Sequence, residues 1–552
     1  MAKTIEPVNA SEEAAAEAVA VGIAAAHHDR TTTGRIAGAA LIVMIGTIFS
    51  RLVAIPRESL IASMFGDAVV TNSFTIAENV LTIFLDLLLS GIASAVLVPV
   101  LSEYVGDDQR DRLGILVGKL LTLVVVGGGV MLLLLELGAR GVAWAMTGIG
   151  GNHASYDRAL IVSLTRGILP ALLLLGVASV LQSTLYALQR FTMPALSLAA
   201  RNGSVVLAVL VLGRSLGVHS LVVGILVGAF LLVALQIPGF RGTGLRIRPS
   251  FAWRDPAIKR IGLLYLPVFL GLLLNSWALI IDRNLAETTG QHGIAAMRFA
   301  TQVQQLTVGM VVTAISIATL PRLSRAAAEM DEDAFGRTLA LGMRLVTTLV
   351  LPATLGLIAL SWPLVNLLFN HGKATTEGVH EIRVALIGYA IGLPFVAWDQ
   401  LLLFAFYARK NTRTPVIVGA FSVVVLLAVS FALIVPFGVL GLVLANSAQF
   451  AFHAAVMFIL ARRMIPTFQT RGLWQTVGRS GAAALVMAVS VLVATAAVRQ
   501  RIGDATFLHQ VVIVFSGIAV GAVVYLGGAW LVRLDEVRYF GDILRARLRR
   551  SA

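Results

Sequence analysis

The chain has no cysteine among its 552 residues, which excludes disulfides, thiolate metal sites and thiol nucleophiles and leaves the redox compartment open. Charge is scarce too: Asp, Glu, Lys and Arg make up 13% of the chain, against about 25% in soluble domains. The nine histidines are scattered, and none has metal-ligand spacing to another ligand. A Walker A phosphate loop and a legible Ser/His/Asp arrangement are both missing, so the motifs imply neither ATP hydrolysis nor nucleophilic catalysis. Ten-residue strands of alternating polarity are missing as well, which argues against a β-barrel. Residues 1–35 lack the order of a secretory signal, because Glu6, Glu12, Glu13 and Glu17 precede any long apolar run. What the chain does have is apolar surface: 58% hydrophobic residues and a mean hydropathy of +0.88. The 51 Gly and 16 Pro are dispersed among apolar runs, so disordered and collagen-like chains are excluded. A water-soluble enzyme could not hide this much apolar surface.

A membrane-crossing helix needs about 20 mainly apolar residues. The runs predict an all-α polytopic membrane protein of about fourteen spans. They lie near 36–62, 69–101, 114–146, 157–187, 194–213, 218–238, 257–286, 294–320, 336–362, 379–408, 414–435, 438–461, 476–498 and 508–532. With the N-terminus placed inside, 27 Lys and Arg fall at inner loops and the C-terminal end, and nine at outer loops. That asymmetry supports both the span count and two cytoplasmic termini. It also accounts for most of the +14 net charge by topology and contact with anionic lipid rather than by nucleic acid.

Three landmarks recur at nearly one offset. Val98-Pro99-Val100-Leu101-Ser102 matches Leu320-Pro321-Arg322-Leu323-Ser324 at 222 residues, and Leu169-Pro170 matches Leu393-Pro394 at 224. The turn 185–194 (LYALQRFTMP) matches 406–415 (FYARKNTRTP) at 221. Two six-helix lobes follow, 36–238 and 257–461, joined by a cytoplasmic linker 239–256 and followed by a two-helix extension 462–535. The flanks, 1–35 and the basic 536–552, read as a disordered tail and a cytoplasmic tail. Six spans is an even number, so the repeat is parallel, an arrangement suited to alternating access.

A charge inside the membrane costs at least ~2.5–3.5 kcal/mol and therefore marks a cavity or a partner. The first span holds Arg51, Arg57 and Glu58, and the second holds Asn72, Glu78, Asn79 and Asp86. A guanidinium fork pairs with two phosphate oxygens at once, so Arg51 and Arg57 in a cleft would grip a diphosphate. The alternative is a set of buried ion pairs, such as Arg57 with Glu78 or Asp86. Arg166, Arg201 and Arg298 read more readily as structural. Asp282 and Asp399 would bind a coupling cation, or else pair with Arg283 or a helix end. Gly127-Gly128-Gly129 lies inside an apolar helix and reads as a packing surface.

The order and spacing of Ser50-Arg51, Arg57-Glu58, Phe65-Gly66, Val98-Pro99-Val100-Leu101, Gln189-Arg190-Phe191, Leu320-Pro321-Arg322-Leu323-Ser324 and Phe406-Tyr407-Ala408-Arg409 resemble the MviN/MurJ family of lipid II flippases. The resemblance runs through 36–535. It implies transport of a lipid-linked disaccharide-pentapeptide from the inner to the outer leaflet of the bacterial cytoplasmic membrane, with cavity arginines at Arg51 and Arg57 and an acid at Glu58. The chain departs from the family at Asn72 (usually Asp), at Leu85 and Asp86 (an Arg pair), at Ser90 (Glu) and at Gln302 (a cavity Arg). The span 414–435 carries no carboxylate, which weakens a carry-over of the family's sodium site. The expected substrate-binding set is Arg51, Arg57, Glu58, Asn72, Asp86 and Gln302.

The reading is a transporter rather than an enzyme, with no cofactor and no metal. Coupling to membrane potential or a monovalent cation stays open, through Asp282 and Asp399. Expected partners are the lipid-linked diphosphate glycan, anionic membrane lipids and other cell-wall synthesis proteins, with no nucleic acid. A flippase for another polysaccharide precursor and a non-transporting scaffold for envelope synthesis are the alternatives.

Overall fold

A computed structural model describes residues 50, 52–66, 68–85, 97–105, 109–147, 155–248, 250, 255–256, 258–259, 261–262, 276, 280–282, 284–309, 313–409, 411, 413–534 and 536. Among these, all regular structure is helical. The helices are α1 (52–65), α2 (Val69–Leu85), α3 (Val98–Ser102), α4 (Arg110–Thr147), α5 (Arg158–Ile168), α6 (Ala171–Ala187), α7 (Thr192–Leu216) and α8 (His219–Gln236). They continue with α9 (Gly293–Thr307), α10 (Thr313–Ala328), α11 (Glu332–Phe369), α12 (Thr376–Ala408), α13 (Arg413–Phe437), α14 (Val439–Met464), α15 (Arg471–Ile502) and α16 (Phe507–Leu531).

Ten helices among the described residues are long and apolar enough to cross a membrane, counting α5 and α6 as one. They coincide one for one with the predicted spans three to six and nine to fourteen. The other four predicted spans, 36–62, 69–101, 257–286 and 294–320, each contain residues outside the described set. Both predicted tails also lie outside it, apart from Glu536. Many large apolar side chains stand on the outside of the helices, among them Leu137, Val435, Leu508 and Val523. Lipid, unlike water, imposes no penalty on that surface.

The chain divides into two compact units, Met1–Ala295 and Ala296–Ala552. In the first, Leu97, Val100, Leu101, Leu113, Val117, Val180 and Ala187 form a core where α3, α4 and α6 meet. The predicted linker lies extended along α4 in this unit. Gly114 and Gly118 are required there: a Cβ at either would stand 2.3 Å from the Arg246 carbonyl oxygen or 1.9 Å from that of Arg248. Basic side chains hold the same segment. Arg110 donates to the Thr243 carbonyl (3.2 Å), Arg190 to those of Gly239 (2.9 Å) and Arg241 (2.6 Å), and Lys119 pairs with Asp255 (2.6 Å). In the glycine triplet, a Cβ at Gly128 would meet Leu173, whereas one at Gly127 or Gly129 would meet nothing within 4 Å among the described residues.

In the second unit, Phe335, Met343, Val350, Leu393, Leu401, Phe406, Met457 and Phe458 pack α11, α12 and α14 together. The α15–α16 pair docks on α11 through Ala359, Leu360, Met487, Val491, Tyr525 and Ala529. Tyr525 donates to the Thr348 carbonyl (2.5 Å), and Arg344 pairs with Glu536 (2.5 Å). The repeated turn closes with the same hydrogen bond in both units. Arg190 N–H bonds the Leu185 carbonyl (2.8 Å), and Asn411 N–H bonds the Phe406 carbonyl (3.0 Å), each a six-to-one helix terminator. Gln189 takes the left-handed conformation (φ 58°) that this terminator needs. The prolines of the second landmark diverge: Pro170 separates α5 from α6, whereas Pro394 sits inside continuous α12.

Candidate functional site

Arg57 organises the polar cluster of the first unit. It lies on α1, where Pro56 one residue earlier lacks the backbone N–H of a regular turn. Its Nη2 donates to Glu78 Oε1 on α2 (2.5 Å) and its Nη1 to Asn202 Oδ1 on α7 (3.4 Å). Its Nε stands 3.7 Å from Glu58, whose side chain is fully buried. Asn202 is held in turn by donating to the Ser50 hydroxyl (2.9 Å) and carbonyl (3.2 Å). Arg201, next to Asn202, brings a second guanidinium into electrostatic range of Arg57 and Glu78. The cluster thus holds two guanidiniums and two carboxylates, with Arg57 and Glu78 keeping 12% and 20% of their side-chain surface open. Glu78 occupies the fork that a phosphate would use, so an incoming oxyanion can exchange with it.

The predicted site residues scatter around this cluster. Arg51 and Asp86 lie outside the described residues. Glu58 joins Arg57. Asn72 is fully buried elsewhere: Nδ2 donates to the carbonyls of Ser155 (2.8 Å) and Gln291 (2.6 Å), and Oδ1 accepts from Ala295 N–H in the first turn of α9 (2.9 Å). Gln302 is half-buried on α9 in the second unit, and Asp282 is half-buried in the stretch 280–282. Asp399 is buried on α12 and pairs with His453 Nδ1 on α14, while His453 Nε2 faces the Pro415 carbonyl (3.3 Å). Among the described residues, no group of three His, Asp or Glu is placed to hold a metal ion.

Sequence reasoning ranked Arg201 as structural, and missed His453 and Glu287. Glu287 follows the apolar run of the seventh predicted span and is almost completely buried beside Tyr156. Burial pushes its carboxyl up to about 7, an effect that Tyr156 and Arg158 partly offset. Burial also raises the Tyr156 phenol, which donates to the Thr147 carbonyl (3.2 Å). The available signal was a lone carboxylate directly after an apolar stretch.

The model of the family described as "Lipid II flippase MurJ" matches residues 61–529. A "Probable lipid II flippase MurJ" of Vibrio cholerae is 26% identical over 441 residues, 78% of this chain and 83% of its own. The "Lipid II flippase MurJ" of Burkholderia cenocepacia is 26% identical over 446 residues, 79% and 84% of the two chains. Among solved structures, a lipid II flippase MurJ in an inward closed conformation superposes with a TM-score of 0.71 at 20% identity, over 89% of this chain and 99% of that one. An inward-facing multidrug resistance MATE family transporter of the MOP superfamily gives 0.61 at 15% identity, over 83% and 99%. These likenesses carry the fold, and with ten apolar helices they describe a multi-pass membrane protein. By the match across 61–529, the chain belongs to the MurJ family of lipid II flippases.

Proposed function

We propose that this chain moves lipid II from the inner to the outer leaflet of the bacterial cytoplasmic membrane by alternating access of two lobes, 36–238 and 257–461. The observation that carries this reading is the Arg57 fork, held by Glu78 and Asn202 and backed by Arg201. A diphosphate entering the cleft takes the fork from Glu78, and the carboxylate resumes it when the headgroup leaves. The exchange keeps Arg57 paired in both states, and Arg201, in electrostatic range of Glu78, offsets the displaced carboxylate. Arg51 adds a second grip. Both termini lie in the cytoplasm, where the basic inner face meets anionic lipid. Coupling runs through membrane potential or a monovalent cation at Asp282 or Asp399.

Depletion and complementation in a strain lacking its lipid II flippase tests the proposal. Rescue by the wild-type chain and loss of rescue in Arg57→Ala, at equal membrane expression, is the expected result. Wild-type protein that reaches the membrane and does not rescue refutes lipid II transport. Native mass spectrometry with other undecaprenyl-diphosphate-linked glycans then separates a flippase for another glycan, which binds one of them, from a scaffold, which binds none.

A further inference from the structure

A cavity of about 530 Å³ opens in the second unit where the ends of α11 and α12 meet the turn between α15 and α16. Its volume falls within the ~300–1,000 Å³ range of small-ligand sites. Its lining includes Trp362, Asn370, Arg383, Arg499, Asp504 and Gln510.

One arginine is already engaged. Arg499 pairs with Asp504 (2.9 Å), and its guanidinium lies over the Trp362 ring, 3.9 Å from the centroid. The Asp504 carbonyl accepts from Gln510 Nε2 (3.1 Å), which steadies the turn. Arg383 is different. It enters from α12, and its Nε is buried with no hydrogen-bond partner among the described residues. A buried N–H left unmade costs about 1–3 kcal/mol, so a turn of the side chain that presents it to a ligand acceptor recovers that energy. The lining carries two guanidiniums and one carboxylate, and that carboxylate is committed to Arg499. Glu381, two residues before Arg383, is not part of the lining. Helix ends of both polarities meet here, the starts of α12 and α16 and the ends of α11 and α15. Their dipoles offset one another, so the side-chain charges decide the preference.

We propose that this cavity binds the oxyanion of a lipid headgroup, a phosphate or a carboxylate, with Arg383 as its principal contact. The placement rests on the topology proposed above, which puts both turns on the outer face. The headgroup has two sources there: the transported glycolipid after release, and an ordinary anionic phospholipid of the outer leaflet. The site exists only because the α15–α16 extension packs against the second lobe.

The absence of native cysteine allows a site-local test. Ala505, which lines the cavity, is changed to cysteine, labelled with an environment-sensitive fluorophore, and the full chain is placed in phosphatidylcholine nanodiscs. Lipid II and phosphatidylglycerol are titrated separately. A saturable response to either supports the site, and the lipid that gives it identifies the source. Arg383→Gln in this background is expected to weaken the response about tenfold or more, the loss of one charge-assisted hydrogen bond. Arg383→Lys keeps the charge without the fork and is expected to fall between. No saturable response to either lipid, or equal affinity in Arg383→Gln of unchanged melting temperature, overturns the proposal. In cells, labelling of Ala505→Cys by a membrane-impermeant maleimide supports the outer placement. Labelling only after the membrane is permeabilised overturns that placement and leaves the titration to judge the site.

Discussion

Replacing Asn72 tests the buried junction of the first unit. Its amide makes three hydrogen bonds, donating to the Ser155 and Gln291 carbonyls and accepting from Ala295 N–H. The side chain is fully buried, so water cannot replace them. At about 1 kcal/mol net for each bond, Asn72→Ala costs about 3 kcal/mol. Asn72→Asp is the sharper perturbation, because the shape is unchanged. The acceptor facing Ala295 survives, and a negative charge at the start of α9 gains about 0.3–1 kcal/mol from the helix dipole. Against that gain, the group facing two carbonyl oxygens changes from a double donor into an oxygen without a proton. Two attractions become repulsions, and the charge is buried without a cation. The losses exceed the dipole gain, so Asn72→Asp is expected to be less stable than Asn72→Ala at neutral pH. Thermal unfolding of the purified wild type and both variants in detergent at neutral pH measures this. An Asp variant as stable as the Ala variant at neutral pH would refute the reasoning.

Gly118→Ala pushes a methyl group into the Arg248 carbonyl and is expected to destabilise by about 1–3 kcal/mol, whereas Gly129, with open space around it, gains about 0.5–1 kcal/mol as alanine. Similar melting temperatures for the two variants would contradict the packing of the linker on α4. Glu287, raised from 4.5 to about 7 by burial, is more easily protonated when folded. Its stabilising contribution is complete below pH 4.5 and lost as pH rises through 7, so Glu287→Gln is expected to flatten the loss of stability over that window; parallel melting profiles for variant and wild type would exclude this. Asp399→Leu removes the carboxylate bonded to the buried His453 ring and is expected to cost about 1–3 kcal/mol, while Asp399→Leu combined with His453→Leu recovers much of it. Additive losses in that double-mutant cycle would show that the pair is not coupled.

The helices were legible because crossing a membrane is a matter of run length. Ten of the predicted spans return as helices of matching position. The repeated turn was legible for a similar reason: its hydrogen bonds close within six residues, so the local sequence carries it. The linker 239–256 was read as a cytoplasmic connection between the lobes, and its path along Gly114 and Gly118 was not visible. A small-residue pair on a helix shows that something can approach closely, not what does. The glycine triplet shows the converse, since among the described residues only Gly128 is approached.

The candidate site was partly legible. Arg57 stood out because a guanidinium in an apolar run is costly, and the pairing with Glu78 was one of the two readings open. Which groups complete the cluster depended on rotation and depth. The helices are apolar on nearly every face, so periodicity does not tell which face meets a neighbour. Arg201 and Asn202 on α7, His453 opposite Asp399, and the three partners of Asn72 came from contacts 54 to 223 residues apart in the chain. Composition and run length by themselves determined a polytopic helical membrane protein with a duplicated turn, because lipid constrains the backbone of each span independently of its neighbours. Only the tertiary structure decided which buried charges meet, because the cost of a charge in the membrane names the need for a partner and leaves its identity to packing.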